Sequence, residues 1–159
     1  MNVRVGFGYD VHRLEEGHPL WLGGVKIESV RGAVGHSDAD VLIHAICDAI
    51  LGAAGLPDIG FHFPNSDERW RGKESTFFLR EVTAMLAKDG WTVCNVDCTV
   101  CLEDPMIGPH VPAMKKVLAP LLKIGERLIS IKATTNEGLG YIGAGNGITA
   151  YASVLIQGA

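Results

Sequence analysis

Asp10, His12 and His44 are three residues of the types that hold a catalytic zinc ion. Asp10 and His12 stand two apart in an alternating stretch. Val3, Val5, Phe7, Tyr9 and Val11 fall on one side of it, and Arg4, Gly6, Gly8, Asp10 and His12 on the other. Side chains alternate across a strand, so a strand over residues 2–12 points Asp10 and His12 the same way, their Cα atoms about 6.5–7 Å apart. Gly6 and Gly8 are expected to leave open space on that face. His44 lies inside a helical stretch further along. Three protein ligands leave a fourth position on the metal free for a substrate oxygen, which separates a reactive zinc from a structural one. Asp-x-His alone is a short pattern that also occurs without a metal.

The rest of the chain must supply the elements that bring these residues together. With 159 residues, 47% apolar and 20% charged, the composition is that of a globular chain long enough to bury a core, and the length suits a single domain over residues 1–159. A net charge of −4 and the lack of a basic run argue against nucleic acid as a partner. No apolar run approaches the ~18 residues of a membrane span, and the first residues lack a signal-peptide pattern. The expectation is a cytoplasmic protein without a membrane partner. Cys98 and Cys101 form a C-x-x-C, but residues three apart on a strand face opposite sides. With Cys47 and Cys94 they read as reduced structural thiols.

Elements follow in the order strand, hairpin, loop, helix, loop, helix, strand, helix, strand, Gly-rich loop, strand. The hairpin turns at Gly23-Gly24, and residues 30–37 read as a loop. A helix follows from about Asp38 to Ala54, with Ser37 and Asp40 spaced as a capping box, and it stops at Gly55 and Pro57. A second helix starts near Ser75 with Phe78, Leu79, Val82, Met85 and Leu86 on its apolar face. Residues 91–102 form a strand, 112–122 a helix, and 128–134 and 148–157 the last two strands. Alternating helices and strands imply an α/β (α+β) fold. The short hairpin and mixed connections favour a mixed β-sheet with helices packed on one face and the other face free for a neighbouring subunit.

Within that frame, Asp40, His44 and Asp48 fall on one helix face at i, i+4, i+8. The column reads either as a solvated polar stripe or as a ligand histidine whose flanking carboxylates fix its ring. His36-Ser37, just before the helix, reads either as a cap or as an anion contact at free helix amides. The stretch from Asp58 to Lys73 is long and polar, either a binding loop or an ordinary surface loop. Lys132 to Glu137 ends a strand and enters a loop with five glycines, Gly138 to Gly147. It reads either as a flexible connection or as a phosphate site, in which Glu137 is a hard oxygen ligand suited to Mg²⁺ or Mn²⁺.

Taken in order, Gly8-Tyr9-Asp10-Val11-His12, Gly35-His36-Ser37-Asp38-Ala39-Asp40 with His44, Asp58-Ile59-Gly60, Phe63-Pro64, Asn95-Val96-Asp97, Pro109-His110 and Lys132-Ala133-Thr134-Thr135 with Glu137 resemble the 2-C-methyl-D-erythritol 2,4-cyclodiphosphate synthase family. The resemblance spans nearly the whole chain. It implies a lyase of non-mevalonate isoprenoid biosynthesis that cyclises 4-diphosphocytidyl-2-C-methyl-D-erythritol 2-phosphate and releases CMP. It implies Zn²⁺ on Asp10, His12 and His44, and transition-state stabilisation by His36 and Thr135. Ser37, Asp58, Ile59, Gly60, Phe63, Asn65 and Asp67 would contact the methylerythritol part and its phosphate. Leu102, Asp104, Pro105, Met106, Ile107 and Gly108 would form the cytidine pocket. Thr134, Thr135, Asn136 and Glu137 would bind the diphosphate, with a second ion, Mg²⁺ or Mn²⁺, on Glu137 and with Tyr141 close by. It also implies a homotrimer with active sites between subunits. Met106 and Ala144 stand where the family pattern has a lysine and an arginine, which bears on affinity for nucleotide and phosphate. A zinc hydrolase of a phosphorylated small molecule and a non-catalytic trimeric ligand-binding relative are the competing readings.

Overall fold

Alternation in the first stretch produces a strand longer than its pattern: β1 runs Val3–Glu16. After it come β2 (Leu20–Leu22), β3 (Val25–Ile27), β4 (Arg31–Ala33), α1 (Val41–Ala54), α2 (Ile59–His62), α3 (Ser75–Lys88), β5 (Trp91–Cys101), α4 (Val111–Leu122), β6 (Ile129–Thr134), α5 (Gly140–Gly143) and β7 (Gly147–Gly158). These come from a computed structural model that describes residues 2–158. Five strands form one mixed sheet in the order β4-β1-β7-β5-β6, antiparallel except for β5 and β6, which the crossover through α4 makes parallel. β2 and β3 form a separate hairpin whose two turn residues, Gly23 and Gly24, both take the positive φ that a tight hairpin turn requires. The expected mixed α/β sheet is present. Among the described residues no helix is long and apolar enough to cross a membrane.

The helices cover one face of the sheet. α1 is apolar almost all round and lies on β1 and β7, with α3 packed behind it. Ile148, Ala150, Ala152, Val154 and Ile156 of β7 and Val96, Cys98 and Val100 of β5 meet it as the core. On β1 the inward face is the one with Gly6 and Gly8. Those glycines do not leave open space. A Cβ on Gly6 would sit 1.8 Å from the Ala49 carbonyl oxygen, and one on Gly8 1.9 Å from that of Ala45. The missing side chains let the helix backbone settle on the strand. Outward, Val5 and Phe7 stay 72% and 63% exposed, and Tyr9 and Tyr151 stand ring to ring at 5.3 Å.

Three local expectations are corrected. Residues 31–33 pair antiparallel with Leu14–Glu16 as a short strand; Arg-Gly-Ala has no alternation to betray it, and tertiary pairing alone makes it a strand. The polar stretch 58–73 carries the short helix α2 and one turn of 3₁₀ helix at Glu68–Trp70. The helix expected from Asp38 begins at Val41, and Ser37 with Asp40 is not a capping box. Asp40 itself is the cap, because Ala39 before it takes a positive φ of 56° and ends any helical continuation upstream.

Asp40 is wholly buried. Its Oδ1 accepts from the Ile43 and Gly23 amides, each at 3.0 Å, and its Oδ2 from the Gly24 amide at 2.7 Å. One carboxylate therefore caps α1 and pins the β2–β3 turn. Asp40→Ala is expected to destabilise the chain by about 1.5–3 kcal/mol, the worth of hydrogen bonds to a charged acceptor, since three donors, two of them buried, lose it. Urea unfolding measures the loss, and an unchanged midpoint contradicts the assignment.

The cysteines follow the strand geometry. Cys98 is buried, Cys101 points to the opposite side, and all four thiols are free. Burial pushes the Cys98 thiol up to about 12.

Candidate functional site

β1 delivers Asp10 and His12 to the helix-covered face, and α1 delivers His44 over them. Within the sheet Asp10 is opposite Ala150 and His12 opposite Ile148. Asp10 Oδ2 is 3.0 Å from His12 Nε2 and 3.0 Å from His44 Nδ1, and the two ring nitrogens are 3.3 Å apart. Ligand atoms about 2.0–2.1 Å from a tetrahedral ion stand roughly 3.3 Å from one another, so this triangle has the size of a metal's ligand face. All three residues are half-buried and form a group able to hold a metal ion.

Proton placement argues the same way. His12 Nδ1 lies 3.1 Å from the Val34 carbonyl oxygen, which only accepts, so Nδ1 carries the hydrogen and Nε2 turns its lone pair to the triangle. A carboxylate and imidazole lone pairs crowded together call for a positive charge between them. The titration of Asp10 and His12 shows the pull toward such a charge. Burial pushes the Asp10 carboxyl up, but the bonds from His12 and His44 outweigh it and bring it down to about 2. Burial lowers His12, yet Asp10 beside it leaves the imidazole net raised. A divalent cation satisfies the same donors by displacing protons. The residues therefore fit a metal.

The triangle opens into a cavity of about 380 Å³. Of the residues singled out in the sequence, Asp10, His12, His36, Ser37, His44, Ile59, Gly60, Phe63, Asn65 and Asp67 line it. Asp58 stands at the start of α2, where its Oδ1 accepts from the Phe61 amide at 2.9 Å. Phe63, Trp70 and Phe78 pack with ring centroids 4.9–6.3 Å apart and form an aromatic wall. Arg71 also lines the cavity and pairs with Glu68 at 3.2 Å.

One reading of the α1 region needs correction. The carboxylates flanking His44 do not orient its ring. Asp40 caps the helix, and Asp48 Oδ1 accepts from the Ile59 amide at 2.8 Å, holding the start of α2 against α1. Beside His36-Ser37, Asp40 takes the Ile43 amide of the first turn. Ser37 Oγ instead accepts from the Ala39 amide at 3.3 Å and lies 3.4 Å from His44 Nε2.

The remaining candidates form a second patch. Leu102, Asp104, Pro105, Met106, Ile107 and Gly108 follow β5, Thr134 ends β6 and Thr135, Asn136 and Glu137 follow it; the parallel pairing brings both loops to one end of the sheet. Glu103, unnoticed in the sequence, ties them together: its two carboxylate oxygens accept from the Asn136 and Gly138 amides, each at 2.9 Å. A glutamate before a proline turn gives no local sign of that role. Met106 is exposed, Leu102 and Ile107 are buried, and Tyr141 donates to or accepts from Thr149 Oγ1 at 2.9 Å. None of this patch lines the metal-side cavity of the same chain. The two sets share one end of the sheet, since Asp10 faces Ala150 and Ala150 faces Val100.

Known proteins share this fold and much of this sequence. The chain is 56% identical to the 2-C-methyl-D-erythritol 2,4-cyclodiphosphate synthase of Cytophaga hutchinsonii over 156 residues, 98% of each chain. It is 56% identical to that of Symbiobacterium thermophilum over 154 residues, 97% of this chain and 98% of the other. A solved structure of 2C-methyl-D-erythritol-2,4-cyclodiphosphate synthase superposes with a TM-score of 0.90 at 42% identity, covering 97% of this chain and 100% of that one. A CDP complex from Plasmodium falciparum superposes with a TM-score of 0.86 at 36% identity, covering 99% and 97%. The YgbB family pattern matches residues 3–157, and with these relatives it shows that the chain belongs to the YgbB family, among the 2-C-methyl-D-erythritol 2,4-cyclodiphosphate synthases.

Proposed function

We propose that this chain is a cyclodiphosphate synthase of the non-mevalonate isoprenoid route. It converts 4-diphosphocytidyl-2-C-methyl-D-erythritol 2-phosphate to 2-C-methyl-D-erythritol 2,4-cyclodiphosphate and releases CMP. The observation that carries the reading is the convergence of Asp10, His12 and His44 at one side of a cavity walled by the 58–67 segment.

In the reaction a 2-phosphate oxygen forms a bond to the β-phosphorus, the bond from that phosphorus to the bridging oxygen breaks, and CMP leaves with the electron pair. The reacting phosphates repel each other, so the protein's work is to fold the substrate and offset charge. Asp10, His12 and His44 are the residues that would hold zinc, which when bound supplies Lewis-acid polarisation of a phosphate oxygen. Ile59, Gly60, Phe63, Asn65 and Asp67, with Asp58 at the rim and Ser37 behind, embrace the methylerythritol part. His36, exposed at the cavity edge, and Thr135 donate to the phosphate oxygens as charge develops. Leu102 and Asp104 to Gly108 take the cytidine, and Thr134, Asn136 and Tyr141 border the diphosphate. Glu137, exposed beside Thr135 with its Oε1 3.4 Å from that hydroxyl, suits a second ion, Mg²⁺ or Mn²⁺, carried with the phosphates.

The chain works as a homotrimer in this reading. The outward row of Val5, Phe7, Tyr9 and Tyr151 is the apolar face a neighbouring subunit would cover. Such packing would set the 102–108 and 134–137 patch of one subunit against the metal-side cavity of another, uniting sets that a single chain keeps apart.

Turnover in ¹⁸O-labelled water tests the reaction type. Intramolecular attack predicts CMP and a cyclic diphosphate with no solvent oxygen, read by mass spectrometry. Label in either product would instead mean hydrolysis at the same metal centre.

A further inference from the structure

His44 turns its second nitrogen, Nε2, away from the metal triangle toward Ser75 Oγ, 2.9 Å away. Ser75 is the first residue of α3 and is fully buried. Its hydroxyl is in turn bonded to Asp38 Oδ1, and its amide donates to Asp38 Oδ2 at 2.8 Å. Asp38 Oδ1 also accepts from the Asp40 amide at 3.2 Å.

The direction of these bonds follows from what each group can do. A carboxylate oxygen only accepts, so the Ser75 hydroxyl hydrogen points at Asp38. Ser75 Oγ then has only lone pairs left for His44, and Nε2 must donate. A neutral imidazole with its hydrogen on Nε2 presents a bare lone pair on Nδ1, the atom that faces Asp10 and His12. Ser37 Oγ is the poorer partner for Nε2, at 3.4 Å and already engaged by the Ala39 amide.

We propose that Asp38 and Ser75 are positioning residues: they fix the tautomer and ring plane of His44 and so set the affinity of the centre for its metal. His12 receives the same service from the Val34 carbonyl, so each ligand imidazole is held through its far nitrogen. The inference rests on the metal reading above. It adds that the segment along the cavity, which leads directly into Ser75, ends on a residue that orients a ligand.

Three measurements on the full chain test it. Zinc affinity, by chelator competition, is expected to fall about 10–100-fold in Ser75→Ala and Asp38→Asn. In both, the visible bands of the cobalt-loaded protein should shift, while Ser75→Thr, which keeps the hydroxyl, should restore affinity and bands toward the parent. A purely structural role would lower the melting temperature of the metal-free chain and leave the cobalt bands alone. Parent-like affinity and bands in folded Ser75→Ala or Asp38→Asn overturn the proposal. A hydrogen on Nδ1 of His44 in the zinc-loaded parent, read from ¹⁵N shifts, would also overturn it. A parent that binds neither zinc nor cobalt refutes the metal reading itself, a different result from a parent that binds while its variants match it.

Discussion

Asp10→Ala is expected to lower turnover by about 10²–10³-fold, the scale of the several kcal/mol that a metal contributes to charge stabilisation. It removes the only anion of the triangle. His12 and His44 remain, but two neutral imidazoles hold a divalent ion far less well than the same pair with a carboxylate. Asp10 is half-buried beside a cavity and supports no part of the apolar core, so the variant should keep its circular dichroism and sediment as the parent does. Asp10→Asn separates charge from shape. It fills the same space and still accepts one hydrogen bond, and it is expected to resemble Asp10→Ala in metal content. Elemental analysis beside turnover reads both. Full turnover by a zinc-depleted Asp10→Ala would remove the metal from the mechanism.

Gly8→Ala should damage stability and site together. The added Cβ would lie 1.9 Å from the Ala45 carbonyl oxygen and 2.8 Å from the Ala49 amide, both backbone atoms of α1, so no flexible side chain can step aside. The helix must lift from the strand. The expected loss is about 3 kcal/mol, the upper end of ordinary overpacking. For a chain of this size that lowers the melting temperature by about 6–12 °C. Ala45 follows His44 directly, so a lifted helix carries His44 away from Asp10 and His12, and zinc affinity should fall with stability. Calorimetry and zinc competition on the same sample check this. A melting temperature equal to the parent's would mean that α1 and β1 are not in such close contact.

These two cases show what the sequence makes legible. The alternation of Val3 to Val11 against Asp10 and His12 gives a strand and the shared direction of two ligands, because period two is a local property. The apolar run around His44 likewise reads as a buried helix. The use of Gly6 and Gly8 does not read locally. An absent side chain looks like room until the element filling it is known, and that element starts more than thirty residues later. Asp38 and Ser75, 37 residues apart, are hidden for the same reason: a serine at the start of a helix reads as a cap, and nothing nearby says what it meets. Glu103 clasps amides on a loop 33 residues downstream and is equally silent in sequence. Asp40 misleads in a subtler way. Its spacing from Ser37 suits a capping pair, but the backbone turns at Ala39 and the carboxylate serves the helix start and the distant Gly23-Gly24 turn instead.

The two-sidedness of β1 has an evolutionary consequence. Asp10 and His12 look inward while Tyr9 and Val11 look outward, in a fixed register with β7. Deleting or inserting one codon between Val3 and Tyr9 would shift that register by one place or force a bulge. A slip would bring Tyr9 and Val11 under the helix and leave the carboxylate and imidazole in the open. The metal ligands would leave the cavity in the same stroke. A change of length along this segment should therefore cost more than a substitution at one of its outward positions.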